Sequence, residues 1–209
     1  MKSIREYLAQ DWWGHCLMSA DAIRGCATGE TCKTAQEKHE YCKGIMTMFP
    51  HMLLMNFSRW FWDGAMPKDY QGFMEPSAAA LQEIVFPVLE QYFDESSTLT
   101  VEERGALLIP LLTDVIPKHV LGGFYAYMFE GDENYKDIAE FWPTVEPLLS
   151  LTARSLKTVY SIDAGCSTEE KGELFVYIGA RMPFILIKRW YEWYFGKEKM
   201  EMPPPPPQD

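Results

Sequence analysis

The sequence predicts an all-α protein, a bundle of about five to seven helices with antiparallel neighbours and several rods kinked or broken at proline. Three observations carry this. Four times a Ser or Thr is followed three residues later by Glu at the start of a long apolar run: Ser3/Glu6, Thr34/Glu37, Thr100/Glu103 and Ser167/Glu170. In such a capping box the hydroxyl and the carboxylate each satisfy one orphan backbone N–H at a helix start. Apolar residues then recur near a spacing of 3.6, and no alternating run is bounded by hairpin dipeptides of the Asn-Gly type. Long helices joined by short links pack antiparallel.

The elements follow in order. A first helix is expected over 3–24, where Ile4, Tyr7, Leu8, Trp12, Cys16 and Ile23 share a face, with Gly25 as its stop. A Gly/Thr-rich link over 25–33 turns the chain. The second helix spans 34–63, breaks at Pro50 and ends at Gly64. A loop over 64–76 leads to Ser77 as the next N-cap, and the third helix covers 77–93 with Pro87 inside. The fourth begins at Thr100 and meets Pro110 and Pro117 before Gly122-Gly123. The fifth runs over about 133–161, interrupted by Pro143 and Pro147. The sixth starts at Ser167, passes Pro183 and ends at Gly196. Residues 1–200 read as a single helical domain. Residues 201–209 read as a disordered tail whose five consecutive prolines favour a stiff polyproline II rod.

Seven interior prolines carry the functional expectation. Each removes a backbone hydrogen bond and pushes on the preceding turn, at about 3 kcal/mol in an otherwise ideal helix. Bent helices leave gaps, and gaps in a bundle become pockets; a proline in the first turn of a new helix costs little and bends nothing. The 209 residues, 14% aromatic with seven Trp and twelve Met, supply oily walls for such a pocket. The sequence thus predicts a cavity lined by aromatic residues and Met that binds a small, largely apolar molecule, as a sensor, carrier or sequestering protein. Asp114, His119, Tyr125, Arg181, Arg59, His51 and Trp60 are the candidate polar and aromatic contacts.

Two other classes stay open. Cys26, Cys32, His39 and Cys42 form a chemically sensible zinc set, although no CxxC knuckle is present. His51, among Met46, Met48, Met52 and Met55, has the surroundings of an axial haem ligand. Either would make the chain a metal- or haem-dependent redox protein or enzyme. The alternative is an assembly protein that grips a partner peptide, consistent with the acidic surface and the proline tail.

A net charge of −11 repels phosphate backbones and anionic membranes, so nucleic acid is not an expected partner. An odd number of cysteines and an N-terminus without a secretory pattern predict a reduced, cytoplasmic setting. Asp114, Lys118 and His119 interrupt the most apolar stretch, so no membrane span is expected. The block Trp190, Tyr191, Trp193, Tyr194 and Phe195 covers most of a helix circumference, which predicts a homodimer through the C-terminal helix.

Overall fold

The computed structural model describes residues 4–161 and 167–196, with the side chains of residues 5, 19, 27 and 168–181 outside that description. The described residues form an all-α bundle without strands. Helix α1 consists of Ile4–Tyr7, a π-helical turn Leu8–Trp12, and Trp13–Thr28. Helix α2 has two halves, Ala35–Thr47 and Phe49–Phe61, that meet at Met48. Helix α3 is Tyr70–Phe93, α4 is Val101–Phe129, α5 is Trp142–Tyr160 and α6 is Thr168–Phe195. Helix α1 lies along α6, the first half of α2 along α3, and the start of α4 along α5.

Local chemistry sets the helix starts. Thr34 Oγ1 accepts from the Glu37 N–H at 3.1 Å while Glu37 accepts from the Thr34 N–H at 2.9 Å. The Thr100/Glu103 box closes in the same way, at 3.2 and 2.7 Å. Ser167 directly precedes α6, whereas Ser3 and the side chain of Glu170 lie outside the described residues. Two cations finish helix ends, as the dipole favours. Arg104 donates to the Tyr92 and Asp94 carbonyls at the end of α3, and Lys136 donates to the Trp193 and Tyr194 carbonyls of α6 at 2.8 and 2.9 Å.

Three boundaries differ from expectation. Helix α5 begins at Trp142, not near 133, because Asp132 and Asp137 hold separate turns ahead of it, accepting from the Asn134 and Ala139 N–H groups at 2.7 and 2.9 Å. Helix α1 passes Gly25 and ends at Gly29, whose φ of 81° supplies the left-handed cap. A helical glycine costs only about 1 kcal/mol, and Gly25 leaves room for Thr31, whose Cγ2 lies 3.2 Å from where a Cβ would stand. Helix α3 begins seven residues before Ser77, at Tyr70, with Asp69 accepting from the Gln71 N–H at 3.2 Å. Ser77 is therefore an interior helical residue, not an N-cap. Pro76 and Pro87 both sit on the exposed side of α3, and the carbonyls they orphan, on Gly72 and Glu83, are exposed too. Carbonyls at exposed positions are open to pairing with solvent, so the prolines do not end the helix.

The prolines divide by position. Pro50 and Pro143 occupy first turns, where they cost little. Pro147 and Pro183 lie inside α5 and α6. Within α4, Pro110 and Pro117 each immediately precede a π-helical turn, Leu111–Val115 and Lys118–Gly122. The wider i→i+5 pattern re-pairs carbonyls that a proline leaves without a donor. Gly105 permits the close crossing of α4 and α5, since a Cβ there would stand 2.6 Å from Tyr160 Cβ.

The core is aromatic. Trp190, fully buried, stacks on Tyr194 at 5.6 Å and meets Phe57 edge-on at 5.6 Å and Phe129 at 5.3 Å. Much of the C-terminal aromatic block is thus inside the bundle. Phe195, 38% exposed, and the half-buried Tyr191 and Trp193 remain on its surface. Helix α4 is long and apolar enough to cross a membrane by length and composition, with 44% of its most apolar window buried in the bundle. The proline tail and Cys166 lie outside the described residues.

Candidate functional site

Three of the prolines converge on one cavity. Pro50 from α2, Pro117 from α4 and Pro183 from α6 border a void of about 160 Å³. Its other walls are apolar: Trp12 and Ile23 from α1, Met46, Phe49, Leu53 and Leu54 from α2, Leu112, Ile116 and Val120 from α4, and Met182, Leu186 and Ile187 from α6. Pro117 and Pro183 lie inside their helices and Pro50 in the first turn of its half-helix, and all three border the same space. The space is partly open to the surface, and its volume is that of a benzene-sized guest. Trp12 is 2% exposed, and its indole N–H has no acceptor among the described residues.

A polar cluster occupies the junction of α2, α3 and α4. His51, fully buried, places Nδ1 2.7 Å from the Thr47 carbonyl oxygen. That oxygen only accepts, so Nδ1 carries the proton and Nε2 presents its lone pair. Ser77 Oγ lies 2.9 Å from this Nε2 and donates to it. On the other side His119 Nε2 lies 2.9 Å from the Ser77 carbonyl oxygen and 3.2 Å from Ser77 Oγ, and donates to both. Tyr70 adds a 2.6 Å hydrogen bond from its hydroxyl to the His51 carbonyl. Burial holds His51 below its ordinary pKa; the bond to Thr47 opposes that shift and the neighbouring His119 adds to it. The imidazole is thereby kept neutral and oriented. Ser77 and His119 open onto a groove of about 490 Å³ bordered by Gly72, Phe73, Pro76, Gly123, Tyr127 and Tyr135.

The structure distributes the sequence-predicted residues between these places and others. It brings His51 and His119 together, through Ser77. Neither lines the apolar cavity, nor do Asp114, Tyr125, Arg59 or Trp60. Asp114 pairs with Lys118 one turn on, both side chains largely in water at 56% and 42% exposure. Tyr125 is buried, but its hydroxyl is consumed by the Lys136 backbone, donating to O at 2.9 Å and accepting from N at 3.0 Å. Arg59 is exposed, and Trp60 stacks on Tyr7 at 4.4 Å. Arg181 lies on α6 with its side chain outside the described residues.

No group of three or more His, Cys, Asp or Glu among the described residues is placed to hold a metal, so Cys26, Cys32, His39 and Cys42 are not assembled as a ligand set. Burial, with hydrogen bonding to Cys32, pushes the Cys26 thiol up to about 12, and burial pushes Cys42 to about 11, so both are protonated thiols in the metal-free chain. His39 instead lies against Phe93, ring centroids 5.3 Å apart. Both nitrogens of His51 are engaged, which leaves neither for an axial haem bond.

Ser77 is the functional candidate that sequence reasoning misassigned. The signal was legible: Tyr70, Phe73, Leu81, Val85 and Leu89, all buried, keep helical spacing straight through Pro76. No family model, curated protein or solved structure matches this chain.

Proposed function

We propose that the protein holds a small, largely apolar molecule in the cavity between α1, α2, α4 and α6. The observation that carries this reading is the convergence of Pro50, Pro117 and Pro183 on one void whose walls are wholly apolar. A packed core of this size closes such a space unless something maintains it, because each missing contact forfeits dispersion energy. Bent helices maintain it.

Thermal unfolding with benzene, ethylbenzene and acetophenone tests it. The expected result is a saturable rise in Tm, at about 2–4 °C per kcal/mol for a chain of this length. Ile116→Phe, which places a ring in the void, is expected to abolish the rise. No shift with any of the three guests, or an undiminished shift in the filled variant, overturns the proposal.

A further inference from the structure

We propose that Ser77 is a nucleophile that cleaves small aryl esters in the groove between α3 and the end of α4, with His51 as its general base and His119 as the oxyanion donor. Four observations point to this chemistry. First, the Ser77 hydroxyl is directed at a base: the Thr47 carbonyl fixes the proton on His51 Nδ1 at 2.7 Å, so the lone pair on Nε2 faces Oγ at 2.9 Å. A nucleophile, a base within hydrogen-bond reach and a third group orienting that base is the arrangement that activates serine. Here a backbone carbonyl replaces the usual carboxylate. Second, the base is fully buried while the hydroxyl borders a groove, so substrate reaches Oγ from one side and the imidazole backs it from the other. Third, His119 Nε2–H stands 3.2 Å from Oγ on the groove side, a position from which it can donate to an oxyanion formed on the carbon that Oγ attacks. Helical N–H groups are already paired and Pro76 has none, so the imidazole supplies what backbone donors supply elsewhere. Fourth, the groove beside Ser77 is bordered by Gly72, Pro76, Gly123 and Tyr127, a largely apolar wall against which a small aryl group packs.

The steps balance. Oγ bonds to the ester carbonyl carbon as its proton passes to His51 Nε2, and the oxyanion accepts from His119. Collapse breaks the bond to the phenol oxygen, which leaves into the groove as phenolate and takes a proton from water there, freeing hydroxide. Hydroxide then attacks the acyl-Ser77 carbonyl from the groove. The bond to Oγ breaks, Oγ recovers the proton held on the buried His51, and the carboxylic acid departs.

The test is labelling of the folded full-length chain with an alkyl fluorophosphonate, which Oγ attacks at phosphorus with loss of fluoride, followed by peptide mass spectrometry. One adduct, on Ser77, is expected in native protein and none in urea-unfolded protein. Phenyl acetate turnover is expected to fall about 100-fold in His119→Leu, and labelling to fall at least about 100-fold in His51→Gln, the low end of what positioned acid–base catalysis contributes, with helicity by circular dichroism retained in both. The proposal is overturned if Ser77 labels no faster than exposed-face serines such as Ser155, or if folded His51→Gln labels at the native rate. This outcome is independent of the apolar cavity, since Ile116→Phe leaves the groove unaltered.

Discussion

The second half of α2 presents two faces with opposite tolerance for imperfection. Pro50, Leu53 and Leu54 look onto an unfilled space, while His51, one residue along, is held by hydrogen bonds of 2.7 and 2.9 Å to two elements. A gap among apolar side chains forfeits only dispersion contacts. A gap among buried polar atoms strands donors and acceptors at about 1–3 kcal/mol each. The distortions introduced by the prolines are therefore absorbed on the apolar face, and the polar face stays closely fitted. Slack and fit are separated by a rotation of about 100° around one helix.

The largest expected effect falls on the fitted face. His51→Leu removes the partner of Ser77 Oγ and fills the site with a group that bonds to nothing there. It is expected to cost about 3 kcal/mol, read as a lower denaturation midpoint at unchanged slope. On the slack face Ile116→Phe is expected to change stability by no more than about 1 kcal/mol in either direction, because the added ring enters space already present. Equal losses from the two substitutions would break the contrast.

The capping boxes at Thr34 and Thr100 were readable because capping is settled within four residues. A pocket bordered by prolines is present, but its walls are mostly Ile, Leu and Val, with only Trp12, Phe49, Met46 and Met182 of the aromatic and Met kind expected. Its polar lining was not readable, because Tyr125 spends its hydroxyl on the Lys136 backbone, a contact made by a loop with no periodic signal. Pro76 hid the first two turns of α3, since a proline reads as a boundary whether its orphaned carbonyl faces water or core. The meeting of His51 with His119 depends on how three helices cross, and nothing in the residues local to either histidine encodes it.

A graded effect follows from pH. His51 is held below its ordinary value of 6.5, chiefly by burial, so the unfolded chain takes up a proton at a pH where the folded chain does not. The stability of the native state is full above 6.5 and declines as pH falls. Glu37 and Glu103 are held below their ordinary value of 4.5 by the capping N–H bonds, so their contribution is lost only at more acid pH. Between these limits the slope of stability against pH is expected to flatten in His51→Gln. Calorimetric Tm values from pH 7 to 5 measure it. An unchanged slope would mean that the fitted face admits a proton as easily as the slack face admits a ring.

The smallest effect belongs to Asp114, which borders neither face. Its carboxylate and the Lys118 ammonium meet on the exposed side of α4, where water and salt screen the pair and two mobile side chains lose entropy to form it. Asp114→Asn is expected to change stability by less than about 0.5 kcal/mol, to leave the acetophenone shift intact and to leave Ser77 labelling at the native rate. The three readouts together locate the residue. Loss of the guest shift alone would extend the cavity wall around α4 to a charged residue and make the hollow polar at one end. Loss of labelling alone would mean that the Asp114–Lys118 turn holds the following π-helical segment, and His119 with it, in register with Ser77.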